Sequence, residues 1–197
     1  MFFQRFVLAC ATGILAACAS LQQSPPSLSA NAADAFSISG RIALREHDRN
    51  LSGGIRWQHS KERDDILLLS PLGQGVMQIV RDESGATLRT ADGKVYQAPD
   101  AEELAATVTG WHLPLSGLAF WVRGVQRPGS AAHDKRDEAG RLQNLVQDDW
   151  RVDYAAYSDA PNDRLPRLMT MTRPELELKL VIDDWERAPA ADSSVPF

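Results

Sequence analysis

The chain has 197 residues, a net charge of −5, 44% hydrophobic and 24% charged residues. That is enough for one sizeable core in a single domain, and the ordinary composition excludes a disordered or fibrous class. The mild acidity excludes the basic footprint of a nucleic-acid binder, so no nucleic acid is expected as a partner.

The N-terminus sets the compartment. Arg5 precedes a mostly apolar run from Phe6 to Ala17. The run is too short to span a bilayer and fits the hydrophobic region of a signal peptide. It ends in Leu15-Ala16-Ala17-Cys18, which resembles the lipobox of bacterial lipoproteins. That resemblance implies cleavage of residues 1–17, a diacylglycerol thioether on Cys18 and an acyl chain on its new amino group. An ordinary secretory cleavage near the same alanines is the alternative. Cys10 goes with the signal, so no disulfide is available to the mature chain. Ala19 rather than Asp follows the cysteine, which resembles an outer-membrane address.

Residues 18–35 are rich in Ser, Pro, Gln and Ala and read as a flexible tether. At roughly 5–6 Å × √n it reaches a few nanometres at most. From Phe36 the apolar period becomes two. Phe36, Ile38, Ile42 and Leu44 alternate with polar residues, as do Leu51, Ile55 and Trp57. Gly53-Gly54 inside the second run marks a bulge or a close backbone approach.

Ile66–Leu69 and Val76–Val80 flank Ser70–Gly75 as a hairpin with a longer loop. Pro71 stiffens this loop, and Gly73 frees its backbone. Leu72 between them has two readings: a plug folded back on the core, or an exposed apolar tip for lipid or an apolar ligand. Strands at Ala86–Thr90 and Val95–Ala98 follow, joined at Asp92-Gly93, a type I′ signal.

A helix is expected over Ala101–Thr109, with Asp100 and Glu103 as a capping box and Gly110 beyond its end. A second helix runs from Ser116 as N-cap to Gly124. Gln126–Arg141 reads as a polar surface loop. Strands return at Leu142–Val146, Trp150–Tyr154, Leu168–Thr172 and Leu176–Ile182, and residues 186–197 read as a loose tail. The fold class is mainly β with inserted helices: an incomplete antiparallel β-barrel of about 10–11 strands, its concave face covered by short helices.

Chemistry is sparse. His47, His59, His112 and His133 show no metal-ligand spacing, and neither a G-x-S-x-G elbow nor a phosphate loop occurs. No enzymatic activity, metal or diffusible cofactor is expected. Trp57, Trp121 and Trp150 fall on inward faces beside Ile55, Leu118 and Val152. They suit a packed core or, as rigid rings leaving gaps, the wall of an apolar cavity for acyl chains.

Several motifs then line up in order: Gly40-Arg41, Trp57-Gln58, Leu67-Leu68-Leu69-Ser70-Pro71-Leu72-Gly73, Asp100-Ala101-Glu102-Glu103, Leu113-Pro114-Leu115, Trp121-Val122-x-Gly124, Trp150-x-Val152-x-Tyr154 and Leu178-Lys179-Leu180. Over residues 36–185 the chain resembles the LolB family of outer-membrane lipoproteins. The resemblance implies a monomeric, lipid-anchored receptor facing the periplasm. It would take acylated lipoproteins from the carrier LolA into an apolar cavity and insert them into outer-membrane lipid. It further implies that Pro71, Leu72 and Gly73 form the membrane-insertion loop, and that Trp57, Trp121 and Trp150 contribute to the cavity wall. A structural outer-membrane lipoprotein with a filled core is the competing reading, and a lipocalin-like small-ligand carrier a minor one.

Overall fold

The computed structural model describes residues 35–159 and 164–187. The signal, Cys18, the tether and the tail beyond Arg187 lie outside them. Six strands come first: β1 (Phe36–Glu46), β2 (Arg49–His59), β3 (Asp64–Leu69), β4 (Gly75–Asp82), β5 (Gly85–Thr90) and β6 (Val95–Ala98). Two helices follow, α1 (Ala101–Thr109) and α2 (Leu115–Trp121). Five strands complete the fold: β7 (Ala132–Arg136), β8 (Leu142–Gln147), β9 (Trp150–Tyr157), β10 (Pro166–Arg173) and β11 (Leu176–Arg187).

All eleven strands form one antiparallel sheet in the order β6-β5-β4-β3-β2-β1-β11-β10-β9-β8-β7. Every neighbour but one is a hairpin partner. The exception is β1 with β11, which joins the two halves of the chain. The sheet does not close, and its edges are β6 and β7. The chain leaves at one edge, forms both helices, and rejoins at the other, so the helices bridge the opening. α1 packs against β4, β5 and β6. The expected mainly β, open-barrel architecture with a helical cover is what the protein has.

The alternating side chains explain the concavity. Ile38 pairs with Trp57, Ile42 with Leu180 and Leu44 with Leu178, all on the inner face and all buried. Ile66, Ile79 and Leu88 extend that face toward β5. Removing such side chains from water contributes about 1.5–3 kcal/mol each.

Three local details differ from the sequence reading. The polar stretch 126–141 contains β7, whose residues are almost all exposed. Backbone pairing with β8 holds this edge strand, so no apolar alternation announces it. Its charges also guard an open edge against further pairing. Secondly, α2 is capped by Pro114 without a side-chain bond rather than by Ser116, and it ends at Trp121.

Thirdly, the Asp92-Gly93 turn is not type I′. Only Gly93 has positive φ (82°), and its N–H donates to the Thr90 carbonyl at 2.9 Å, a three-residue loop with a left-handed glycine. The type I′ geometry instead joins β8 to β9, where Asp148 (φ 51°) and Asp149 (φ 62°) are both left-handed. Arg127 Nε donates to Asp148 Oδ2 at 2.8 Å and helps hold that turn. The capping of α1 is as expected: Asp100 Oδ1 accepts from Glu103 N at 2.8 Å, and Gly110 closes the helix in the left-handed region.

Candidate functional site

The loop between β3 and β4 is a tight turn built to expose one side chain. Gly73 N–H donates to the Ser70 carbonyl at 2.9 Å, and Ser70 N–H to the Gln74 carbonyl at 2.8 Å. Pro71 and Leu72 are the central residues of the turn, and Gly73 follows with φ 81°. Ser70 Oγ accepts from Leu72 N and Gln74 N, both at 3.3 Å. This scaffold points Leu72 away from the protein, with 87% of its surface exposed. The plug reading of Leu72 is therefore excluded. Val76 and Val95 are exposed at the same end of the sheet, where Ala91 N–H donates to the Val76 carbonyl at 2.9 Å. Alternation alone does not single out these two, because each sits in an ordinary strand.

Beneath the helices lies a cavity of about 350 Å³. Trp57, Ile66 and Ile79 of the sheet form its floor, and Leu115, Ala119 and Phe120 line it from above. It is at the small end of ligand sites, roughly 300–1,000 Å³. One polar cluster borders it. Asp64 Oδ1 accepts from Trp57 Nε1 at 2.9 Å and lies 2.6 Å from His59 Nδ1, while Asp64 Oδ2 accepts from Arg81 Nε at 2.6 Å. Burial pushes the Asp64 carboxyl up, but the bonds from His59, Trp57 and Arg81 outweigh it and hold the pKa below the ordinary carboxylate range. Trp57 is thus fixed by its indole N–H as well as by packing.

A second cleft, about 690 Å³, lies between the helices and the β8–β10 half of the sheet. Trp121 and Trp150 line it together with Glu103, His112, Arg127 and Arg173, so it is far more polar. Trp121 is pinned there. Its Nε1 donates to Gln147 Oε1 at 2.9 Å, its carbonyl accepts from Tyr154 Oη at 2.9 Å, and Gln147 Nε2 donates to the Arg127 carbonyl at 2.8 Å.

Glu102 and Ser116 line both spaces, and Ser116 N–H donates to Glu102 Oε1 at 2.7 Å. The structure therefore separates the residues grouped by sequence. Trp57 faces the apolar cavity, and Trp121 and Trp150 face the polar cleft. Ile55, Leu118 and Val152 line neither and lie in the packed core. Leu115, Ala119 and Phe120 are cavity residues that sequence reading missed: Leu115 precedes the expected start of α2, and the inward face was assigned to Leu118 and Trp121 rather than to Ala119 and Phe120. Among the described residues no group of three His, Cys, Asp or Glu is arranged to hold a metal.

The profile of the family "Outer membrane lipoprotein LolB" matches residues 34–185. The chain belongs to the LolB family. A LolB outer-membrane lipoprotein of Nitrosomonas europaea is 42% identical over 153 residues, covering 77% of this chain and 72% of its own. The LolB protein of Thiobacillus denitrificans is 38% identical over 184 residues, covering 93% and 97%. Among solved structures, a LolA superfamily protein from Nitrosomonas europaea superposes with TM-score 0.48 at 10% identity, covering 81% of this chain and 89% of its own. No helix among the described residues is long and apolar enough to cross a membrane.

Proposed function

We propose that the protein receives acylated lipoproteins from a LolA-like periplasmic carrier, holds an acyl chain in the cavity under α1 and α2, and inserts the cargo into outer-membrane lipid. Family membership supplies the coarser part, a role in lipoprotein localisation at the outer membrane. The observation that carries the finer part is the apolar cavity between Trp57, Ile66, Ile79 and the α2 side chains Leu115, Ala119 and Phe120. Nothing around it suggests bond-making chemistry: its polar cluster is a satisfied ion-pair network. Its volume suits about one chain, so a cargo with several chains requires α1 and α2 to part at Glu102–Ser116 and join the cavity to the second cleft.

The remaining parts of the reading follow from the chain ends and the loop. Acylated Cys18 and the tether keep a monomeric domain at the periplasmic face of the outer membrane. Leu72, flanked by Pro71 and Gly73, enters the bilayer during delivery. No nucleotide or metal is required; the driving force is the difference in acyl-chain affinity along carrier, receptor and bilayer. The scaffold alternative draws on one observation, the dense packing of Ile55, Leu118 and Val152. That packing leaves the Trp57 cavity intact.

The test is a transfer assay. Carrier loaded with an acylated lipoprotein is mixed with this protein, and the cargo is followed by size exclusion. The cargo is expected to move onto this protein without added nucleotide. Cargo remaining on the carrier, with the receptor folded, contradicts the proposal.

A further inference from the structure

The outer face of the sheet carries a groove that the acyl-chain cavity does not use. It has a volume of about 510 Å³ and runs from Pro71 and Gly73 across β2 and β1 to β11. Two registers build it. Lys179 stands opposite Ala43, which stands opposite Ser52; Arg41 stands opposite Gly54, which stands opposite Leu69. Small residues at 43, 52 and 54 thus form a trough between Leu69 on one side and the Arg41 and Lys179 side chains on the other. At Gly54 a Cβ would lie 3.2 Å from Leu69 Cβ, a tight fit against the wall of the trough.

The charge lining the groove is opposite in sign to that of the chain. The protein carries −5 overall, and the outer face of β1, β2 and β11 is balanced, with Arg41, Arg45, Arg56 and Lys179 against Glu177, Asp183, Asp184 and Glu186, but the groove itself is lined by Arg41 and Lys179 and by no carboxylate. Asp183 is bound by Arg41 at 2.8 Å. Lys179, Arg45 and Arg56 make no ion pair among the described residues.

The groove is continuous with the Leu72 turn, since Pro71 and Gly73 line it. An interfacial element sinks its apolar face about 5–10 Å into the headgroup and acyl boundary. If Leu72 is at that depth, the mouth of the groove is level with the lipid phosphates.

We propose that this groove seats the phosphate-bearing headgroup of a membrane glycerophospholipid, with Lys179 and Arg41 at the phosphate and the Ala43–Gly54 trough under the glycerol. The proposal rests on the reading of Leu72 as a membrane-inserting tip. It makes docking a two-part contact, apolar through Leu72 and electrostatic through the groove, which orients the sheet on the bilayer.

The test uses the full lipidated chain reconstituted in vesicles of phosphatidylcholine with phosphatidylglycerol. Each sample contains a trace of phospholipid bearing a photoreactive group either beside the phosphate or at the acyl end, and adducts are mapped by mass spectrometry. Headgroup adducts are expected on β1 and β11 around Ala43 and Lys179, and acyl-end adducts at Pro71–Gly73. Lys179→Glu should lower the headgroup adducts about fivefold. Lys135→Glu, the same charge change on the far edge strand β7, should leave them unchanged.

Acyl-end adducts at the turn without headgroup adducts in the groove overturn the headgroup seat and leave the Leu72 reading standing. Adducts at neither place overturn both. Equal loss from Lys179→Glu and Lys135→Glu reduces the effect to net charge and overturns the site.

Discussion

Asp64 and Leu72 stand at opposite ends of the same short span of chain: Asp64 opens β3 beside the Trp57 cavity, and Leu72 lies in the turn that follows Leu69. At about 3.3 Å per residue the strand alone separates them by roughly 17 Å. Cavity and tip are joined by a rigid strand but share no side chain. On the proposed function, accepting cargo and engaging the membrane are therefore separable by mutation. Leu72→Glu should leave acceptance of cargo from the carrier unchanged and lower delivery into vesicles at least tenfold, since burying a leucine is worth about 1.5–3 kcal/mol. Measuring both steps on the same preparation checks it. Because the Leu72 residue is 87% exposed, the melting temperature should not move.

The bond from Ser116 N–H to Glu102 Oε1 is the tie between the helices at the boundary of the two cavities. One such bond contributes about 0.5–1.5 kcal/mol. Glu102→Ala should cost no more than that in stability while speeding the entry of an apolar fluorophore into the cavity, read by stopped-flow fluorescence. An unchanged entry rate would show that the helices do not part there.

The alternation of Phe36–Leu44 and of Leu176–Ile182 sufficed to reveal the one-sided strands, and the capping residues of α1 were legible letter by letter. Edge strand β7 was not, because side chains that almost all face water carry no period. The cavity was only partly legible. Parity places Trp57, Trp121 and Trp150 on the inner face, but it does not say that Gln147 and Tyr154 draw Trp121 toward β8 and β9, away from Trp57. Nor does it show that Ala119, a small residue in α2, leaves the space beside Trp57 that Phe120 and Ile79 complete.

Filling that space is a direct test of its use. Ala119→Leu adds bulk at the cavity roof, and overpacking costs about 1–3 kcal/mol. Binding of an apolar probe should fall several-fold while vesicle docking through Leu72 is retained. Ala119→Ser, which leaves the space open, is the control for a general loss of packing.

The Asp64 cluster gives the fold an acid-side dependence. Its folded pKa lies below the unfolded value of about 3.9. The stabilisation is therefore fully present above about pH 4 and is lost as pH falls through the folded value. Urea midpoints should drop as the pH falls below about 4 in the natural protein. In Asp64→Asn the drop should be shallower, starting from a stability about 1–3 kcal/mol lower at pH 7. Parallel slopes for the two proteins would remove Asp64 as the source.

The central claim is that cargo acyl chains occupy the space between Trp57 and α2. A lipoprotein whose acyl chains end in a diazirine, supplied on its carrier and irradiated after mixing, reads this out by mapping the adducts. Adducts at Ile66, Ile79 and Phe120, abolished by Ala119→Leu, are the predicted result. Transfer of cargo with adducts only outside the cavity would contradict it.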